Sequence, residues 1–185
     1  MNKRLLLTSF DTWLPHQKSN SSDDLLIEVA KLEKIPLDLT FERQLPVNIE
    51  QASSRVIQKI CQIQPLVVIC CGMAESRTKL TVELNACSMS LLHNSSIDSL
   101  TENCKETVLQ TKVDLKKLVK GGRKIEISYD CGKFVCEGLY YSVLDYIRQS
   151  QQELDCIFVH VPILTEENLQ VIIDDFLLII HQLAL

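Results

Sequence analysis

Residues 125–160 read IEISYDCGKFVCEGLYYSVLDYIRQSQQELDCIFVH, and their reading decides the fold. Ile125 to Ser128 is a short apolar strand, Phe134 to Arg148 carries a helical apolar stripe, and Leu154 to His160 is a second apolar strand. A strand, a helix and a second strand at this spacing form a right-handed crossover, which joins parallel strands of one sheet.

The same alternation extends outward in both directions. Upstream, Leu5 to Thr8 reads as a buried strand. Ser21 or Ser22 caps a helix with Asp23 and Asp24 in its first turn and Leu25, Leu26, Val29 and Leu32 facing inward. Pro36 ends that helix, and Leu37 to Arg43 alternates as a strand with one wet face. Asn48 and Gln51 have capping-box spacing ahead of a helix burying Ile49, Ala52, Val56 and Ile60. Pro65 to Cys71 is an apolar strand stopped by Gly72, and Thr78 to Cys87 is extended. Residues 88–107 are polar and irregular. A short helix near Val113 to Val119 stops at Gly121-Gly122, and Thr165 to Gln182 forms the last helix. The expectation is one α/β domain over residues 1–185, a three-layer α/β/α sandwich with a largely parallel central sheet.

Composition narrows the function classes. A net charge of −5 offers no general attraction to nucleic acid or an anionic membrane. The basic patch of Lys116, Lys117, Lys120, Arg123 and Lys124 reads as a solvated helix end. The apolar run after Met1 is broken by Thr8, Ser9 and Asp11, too early for a signal peptide, and Val171 to Leu185 is too short to span a bilayer. The eight cysteines include no Cys-x-x-Cys pair and no zinc-finger spacing to histidine, and Cys70, Cys71 and Cys156 lie in apolar runs. Reduced thiols, a cytoplasmic location and no metal site are expected. The last helix is apolar on more than one face (Ile172, Ile173, Phe176, Leu177, Leu178, Ile179, Ile180), so it is either buried against the sheet or covered by another subunit.

In open α/β sheets ligands sit beyond the carboxyl ends of the strands. Cys136 falls in the first turn of the helix after Ile125–Ser128, where the dipole favours a thiolate, and Gly132 allows a close backbone approach just before it. His160 ends the next strand. A thiol and an imidazole on adjacent strand ends suit acyl transfer, with helix-start N–H groups as an oxyanion site. By spacing alone structural roles are the commoner: Cys136 shares the helical apolar face of 139, 143 and 147, where a cysteine is more often core, and a histidine at a strand end is more often hydrogen-bonded framework.

Four blocks in order resemble the pyroglutamyl peptidase I (pyrrolidone-carboxylate peptidase) family. Ser128 to Cys136 is similar to its Ser-x-x-Ala-Gly-x-Tyr-Val-Cys-Asn signature, and Phe158-Val159-His160-Val161-Pro162 to its Phe-Ile-His-Val-Pro. Gly72-Met73-Ala74-Glu75-Ser76-Arg77, with Glu83 following, resembles its Gly-Gln-Ala-Gly-Gly-Arg block and downstream Glu. Leu7 to Trp13 resembles its Leu-Thr-Gly-Phe-x-Pro-Phe opening.

The resemblance implies a phosphorylase/hydrolase-like fold, a thiol peptidase releasing an N-terminal 5-oxoproline from blocked peptides, no cofactor, and a homo-oligomer (dimer or tetramer). It implies Cys136 as nucleophile, His160 as base and Glu83 orienting the imidazole, with Phe10, Trp13, Asn20, Met73, Phe134 and Val135 about the lactam. Departures are Met73 for Gln, Glu137 for Asn after the nucleophile, Ser9 for Gly, Leu14-Pro15 for Gly-Gly, and His93 near the place of a family Arg. A carboxylate at Glu137 opposes a thiolate unless it is paired or points to solvent. Two other readings stay open: a cysteine amidase or peptidase of different N-terminal specificity, and a binding homologue without turnover.

Overall fold

A computed structural model describes residues 3–15, 17–32, 36–88, 107–132 and 134–185. The strands β1 (Arg4–Phe10), β2 (Asp38–Leu45), β3 (Val67–Met73), β4 (Leu80–Glu83), β7 (Ile125–Ser128) and β8 (Asp155–Val161) form one sheet in the order β2-β1-β3-β8-β4-β7. Between β4 and β7 in sequence, β5 (Asn85–Cys87) and β6 (Val108–Gln110) pair antiparallel as a separate two-stranded sheet.

Alternation along the strands feeds two cores. Leu5, Leu7, Ile69, Ile157 and Val159 face one layer, formed by α1 (Ser21–Ala30), α3 (Leu115–Leu118) and α5 (Leu169–Leu183). Leu6, Val68, Cys70, Cys156 and Phe158 face the other, formed by α2 (Ile49–Ile63) and α4 (Val135–Ser150). Because side chains on a strand alternate between faces, this parity also sends His160 toward α4. The three-layer α/β/α expectation matches this architecture.

Several local expectations are corrected. Gly72 does not stop β3, which runs on to Met73. The cap of α1 is Asn20, whose side chain accepts from the Ser22 N–H, because Ser21 and Ser22 are already helical. Leu32 is exposed rather than inward, since α1 ends at Ala30. The extended stretch 78–87 divides between β4 and β5 in different sheets. The sheet is mixed, with β4 antiparallel to β8 and parallel to β7, so β7 and β8 run antiparallel with β4 between them, and the connection through α4 is not the expected crossover between parallel neighbours. The short connection from β3 to β4 is too brief for a crossover, which needs about a dozen residues, so β4 returns antiparallel and β8 inserts between the two. In α5, Ile172, Ile173, Phe176, Ile179 and Ile180 are all buried within this chain, and Leu177 and Leu178 are half-buried. No helix among the described residues is long and apolar enough to cross a membrane.

Candidate active site

The register of three strands assembles the site. His160 lies opposite Gly72 on β3 and opposite Thr81 on β4, and Glu83 lies opposite Phe158. Glu83 and His160 are therefore diagonal neighbours on one face, a pairing that long side chains can bridge. They do: His160 Nδ1 is 2.8 Å from Glu83 Oε1, with Glu83 fully buried and His160 nearly so. The bond holds the ring's orientation, and the other ring nitrogen makes no bond among the described residues.

On the other flank of His160, Gly72 leaves room for the nucleophile candidate. A Cβ placed on Gly72 would lie 2.7 Å from Cys136 Sγ and 2.9 Å from the Phe158 ring. The sulfur of Cys136 thus occupies the space a side chain at position 72 would fill. Gly72 and His160 are lateral partners on neighbouring strands, so thiol and imidazole open onto the same space. They line one cavity of about 340 Å³ with Trp13, Leu14, Met73, Glu75 and Phe134.

The approach to α4 is a built turn. Ser128 Oγ accepts from the Asp130 N–H at 3.1 Å, Asp130 Oδ1 accepts from the Gly132 N–H at 3.0 Å, and Gly132 has φ +86, which a residue with a Cβ rarely adopts. Phe134 is the N-cap of α4 and makes no side-chain capping bond. The first-turn N–H groups, lacking intrahelical partners, lie beside Cys136.

Burial pushes the Cys136 thiol up to about 12, with smaller upward pushes from Cys70 and Glu83, while its own backbone N–H works the other way. Desolvation thus opposes the thiolate preference expected of the helix terminus, because the partly buried sulfur is packed over Gly72. Glu137 does not add to this. It is buried, its Oε1 accepts from the Cys87 N–H at 3.1 Å, and it ties α4 to β5.

The pocket residues separate into two sets. Trp13 and Phe134 line the cavity, are about half exposed (51% and 48%), and stand with ring centroids 4.9 Å apart. Met73 lines it too. Phe10 and Val135 are buried in the core beneath and do not line it. Asn20 acts one step back: its amide donates to the Asp11 carbonyl and its oxygen accepts from Ser22, fixing the ends of the loop that carries Trp13. His93 lies outside the described residues.

The residue whose importance sequence reasoning missed is Arg77. Its Nη1 lies 3.0 Å from the same Glu83 oxygen that meets His160, and its Nη2 donates to the Asp130 carbonyl at 3.0 Å. One guanidinium thus braces the buried carboxylate and the turn before Cys136. Arg77 was visible in the matched block, but an arginine on a loop reads as solvated until its partner is known. Gly72 was likewise legible only as a strand stop.

The class is that of the α/β cysteine peptidases. The chain belongs to the pyroglutamyl peptidase family, whose sequence profile matches residues 3–176. Among curated relatives, the pyrrolidone-carboxylate peptidase of Bacillus velezensis is 27% identical over 180 residues, covering 92% of this chain and 83% of that protein. That of Brachyspira hyodysenteriae is 28% identical over 160 residues, covering 81% and 73%. The crystal structure of pyroglutamyl peptidase I from Bacillus amyloliquefaciens superposes with a TM-score of 0.82 at 22% identity, covering 100% of this chain and 96% of that one. Pyrrolidone carboxyl peptidase from Thermococcus litoralis gives 0.78 at 19% identity, covering 97% and 92%. These structural likenesses carry the fold.

Proposed function

We propose that the chain removes an N-terminal 5-oxoprolyl residue from peptides, with Cys136 as nucleophile, His160 as general base and acid, and Glu83 as the group that orients the imidazole. The observation carrying this is the Glu83–His160 bond of 2.8 Å beside a cysteine sulfur packed onto Gly72.

The chemistry follows from the geometry. A thiol held up at about 12 is protonated in the resting enzyme at neutral pH, so attack on the scissile carbonyl is coupled to proton transfer onto His160. Buried Glu83 stabilises the imidazolium that forms, and Arg77 offsets the carboxylate charge. The helix-start N–H groups of α4 face the developing oxyanion. His160 then returns its proton to the leaving amine, and water resolves the thioester. The uncharged lactam packs against Trp13 and Phe134, which supply apolar surface with little conformational cost. Met73 in the wall favours one second reading, a cysteine peptidase of different N-terminal specificity, because its thioether offers the lactam only a weak acceptor.

Purified protein is assayed on a 5-oxoprolyl arylamide under reducing conditions, beside Cys136→Ala. Hydrolysis by the wild type alone supports the proposal. Cleavage only of peptides with other N-termini, lost in Cys136→Ala, moves the assignment to the second reading. Activity surviving in Cys136→Ala removes both. Assembly into a dimer or tetramer belongs to the same reading and is supported by the incompletely buried Leu177 and Leu178 of α5; light scattering measures it.

A further inference from the structure

The chemistry proposed above leaves one wall of the cavity without a task. Among the described residues Glu75 is the single carboxylate lining the space around Cys136 and His160, and no described lysine or arginine lines it. Its place is held. Gln17 Nε2 donates to Glu75 Oε1 at 2.9 Å, while Gln17 Oε1 accepts from the backbone N–H groups of Trp13 and Leu14, both at 3.1 Å. The carboxylate is thereby tied to the loop that presents Trp13. Glu75 and Met73 also wall a second cavity of about 280 Å³, which Asp24, Lys18 and Ser19 help to line. The two spaces adjoin at Met73 and Glu75. Among the described residues lining the second, Lys18 is the one cation and Asp24 and Glu75 are the carboxylates, of which Asp24 accepts from Ser19 Oγ at 2.6 Å.

We infer that the second cavity receives the residue following the cleaved bond, and that Glu75 selects substrates whose side chain there is cationic. The inference rests on the peptidase reading above. With the lactam on Trp13 and Phe134 and its carbonyl between Cys136 and His160, the leaving chain exits across the remaining wall, over Met73 and past Glu75. One residue spans at most about 3.6 Å, so the first leaving residue already lies beside this wall. A neutral lactam has no use for a carboxylate; a lysine or arginine side chain does. Because the group is exposed, the preference is moderate and sensitive to salt.

The test is competition among three 5-oxoprolyl tripeptides carrying Lys, Ala or Glu after the 5-oxoproline, mixed in equal amounts and followed by mass spectrometry. Attraction of Lys and repulsion of Glu, each about 3-fold, give a Lys-to-Glu ratio of kcat/KM of about 10 at low ionic strength. The ratio falls to about 2 in half-molar salt and collapses similarly in Glu75→Gln. Because it is a ratio within one reaction, it does not depend on how much enzyme is active. Equal consumption of the three peptides overturns the subsite and leaves the peptidase reading standing. A Lys preference that persists unchanged in Glu75→Gln removes Glu75 as its origin and overturns the assignment. Failure to cleave any of them, or a plain 5-oxoprolyl arylamide, overturns both readings together.

Discussion

Replacing Arg77 by methionine tests the bracing of Glu83. The ion pair is 3.0 Å long, Glu83 is wholly buried, and the Arg77 side chain is 25% exposed. At that distance and an effective dielectric of about 20, the attraction is about 5 kcal/mol. The partial exposure of the arginine, and the water that replaces it, reduce the loss to about 3 kcal/mol, the low end for breaking a buried pair. For a chain of this size that lowers Tm by roughly 6–12 °C. Activity responds separately. Without the guanidinium, Glu83 either remains as an uncompensated buried anion or takes up a proton, and then supports the imidazolium only through a neutral hydrogen bond. The difference between charge-assisted and neutral bonds, about 1–2 kcal/mol, lowers kcat roughly 5- to 30-fold. KM stays nearly constant, because Arg77 does not line the cavity. The discriminating assay is a cycle of wild type, Arg77→Met, Glu83→Gln and the double variant on a 5-oxoprolyl arylamide. If Arg77 acts through Glu83, its removal from the Glu83→Gln background costs little, and the coupling is at least about 1 kcal/mol. Strictly additive losses in kcat would refute the argument and assign the effect of Arg77 to its bond with the Asp130 carbonyl.

Three further outcomes are expected. Gly72→Ala places a Cβ 2.7 Å from Cys136 Sγ and 2.9 Å from Phe158, so the sulfur moves; overpacking costs about 1–3 kcal/mol and kcat falls on the order of 100-fold, whereas a kcat within a factor of two would show the sulfur is not seated there. Trp13→Ala and Phe134→Ala remove half-exposed rings, so each raises KM roughly 2- to 10-fold with Tm almost unchanged; an unaltered KM would move the lactam elsewhere. The Cys136 thiol is held at about 12 when folded and at roughly 8.5 when unfolded, so the folded state keeps its proton longer. The stability this contributes is complete below the unfolded value and is lost as pH rises toward the folded one. Urea unfolding of wild type against Cys136→Ala should therefore show the difference shifting by about 1 kcal/mol against the wild type between pH 8 and 9.5, and a constant difference would contradict the burial of the sulfur.

Local pattern in the sequence was enough for the strands and helices that run long enough to show a period: β1, α2, α4 and β8 lie close to where alternation and helical stripes put them. Those signals depend on neighbours along the chain, and so did the placement of Cys136 at a helix start and His160 at a strand end. The motif blocks then supplied Glu83. What the chain could not display is set by contacts between distant residues. Glu83 is 77 positions from His160, and the antiparallel insertion of β4 beside β8 is what puts them on one face. Phe10 and Trp13 sit three positions apart on one aromatic stretch, yet one enters the core and the other the cavity, because β1 ends between them. The same holds for Cys136. Its position at a helix terminus is local and argues for a thiolate; its packing over Gly72, which leaves it only partly exposed, is tertiary and raises the thiol instead. Desolvation is the larger effect because it acts on the whole charge, whereas the first helical turn offers only a fraction of one.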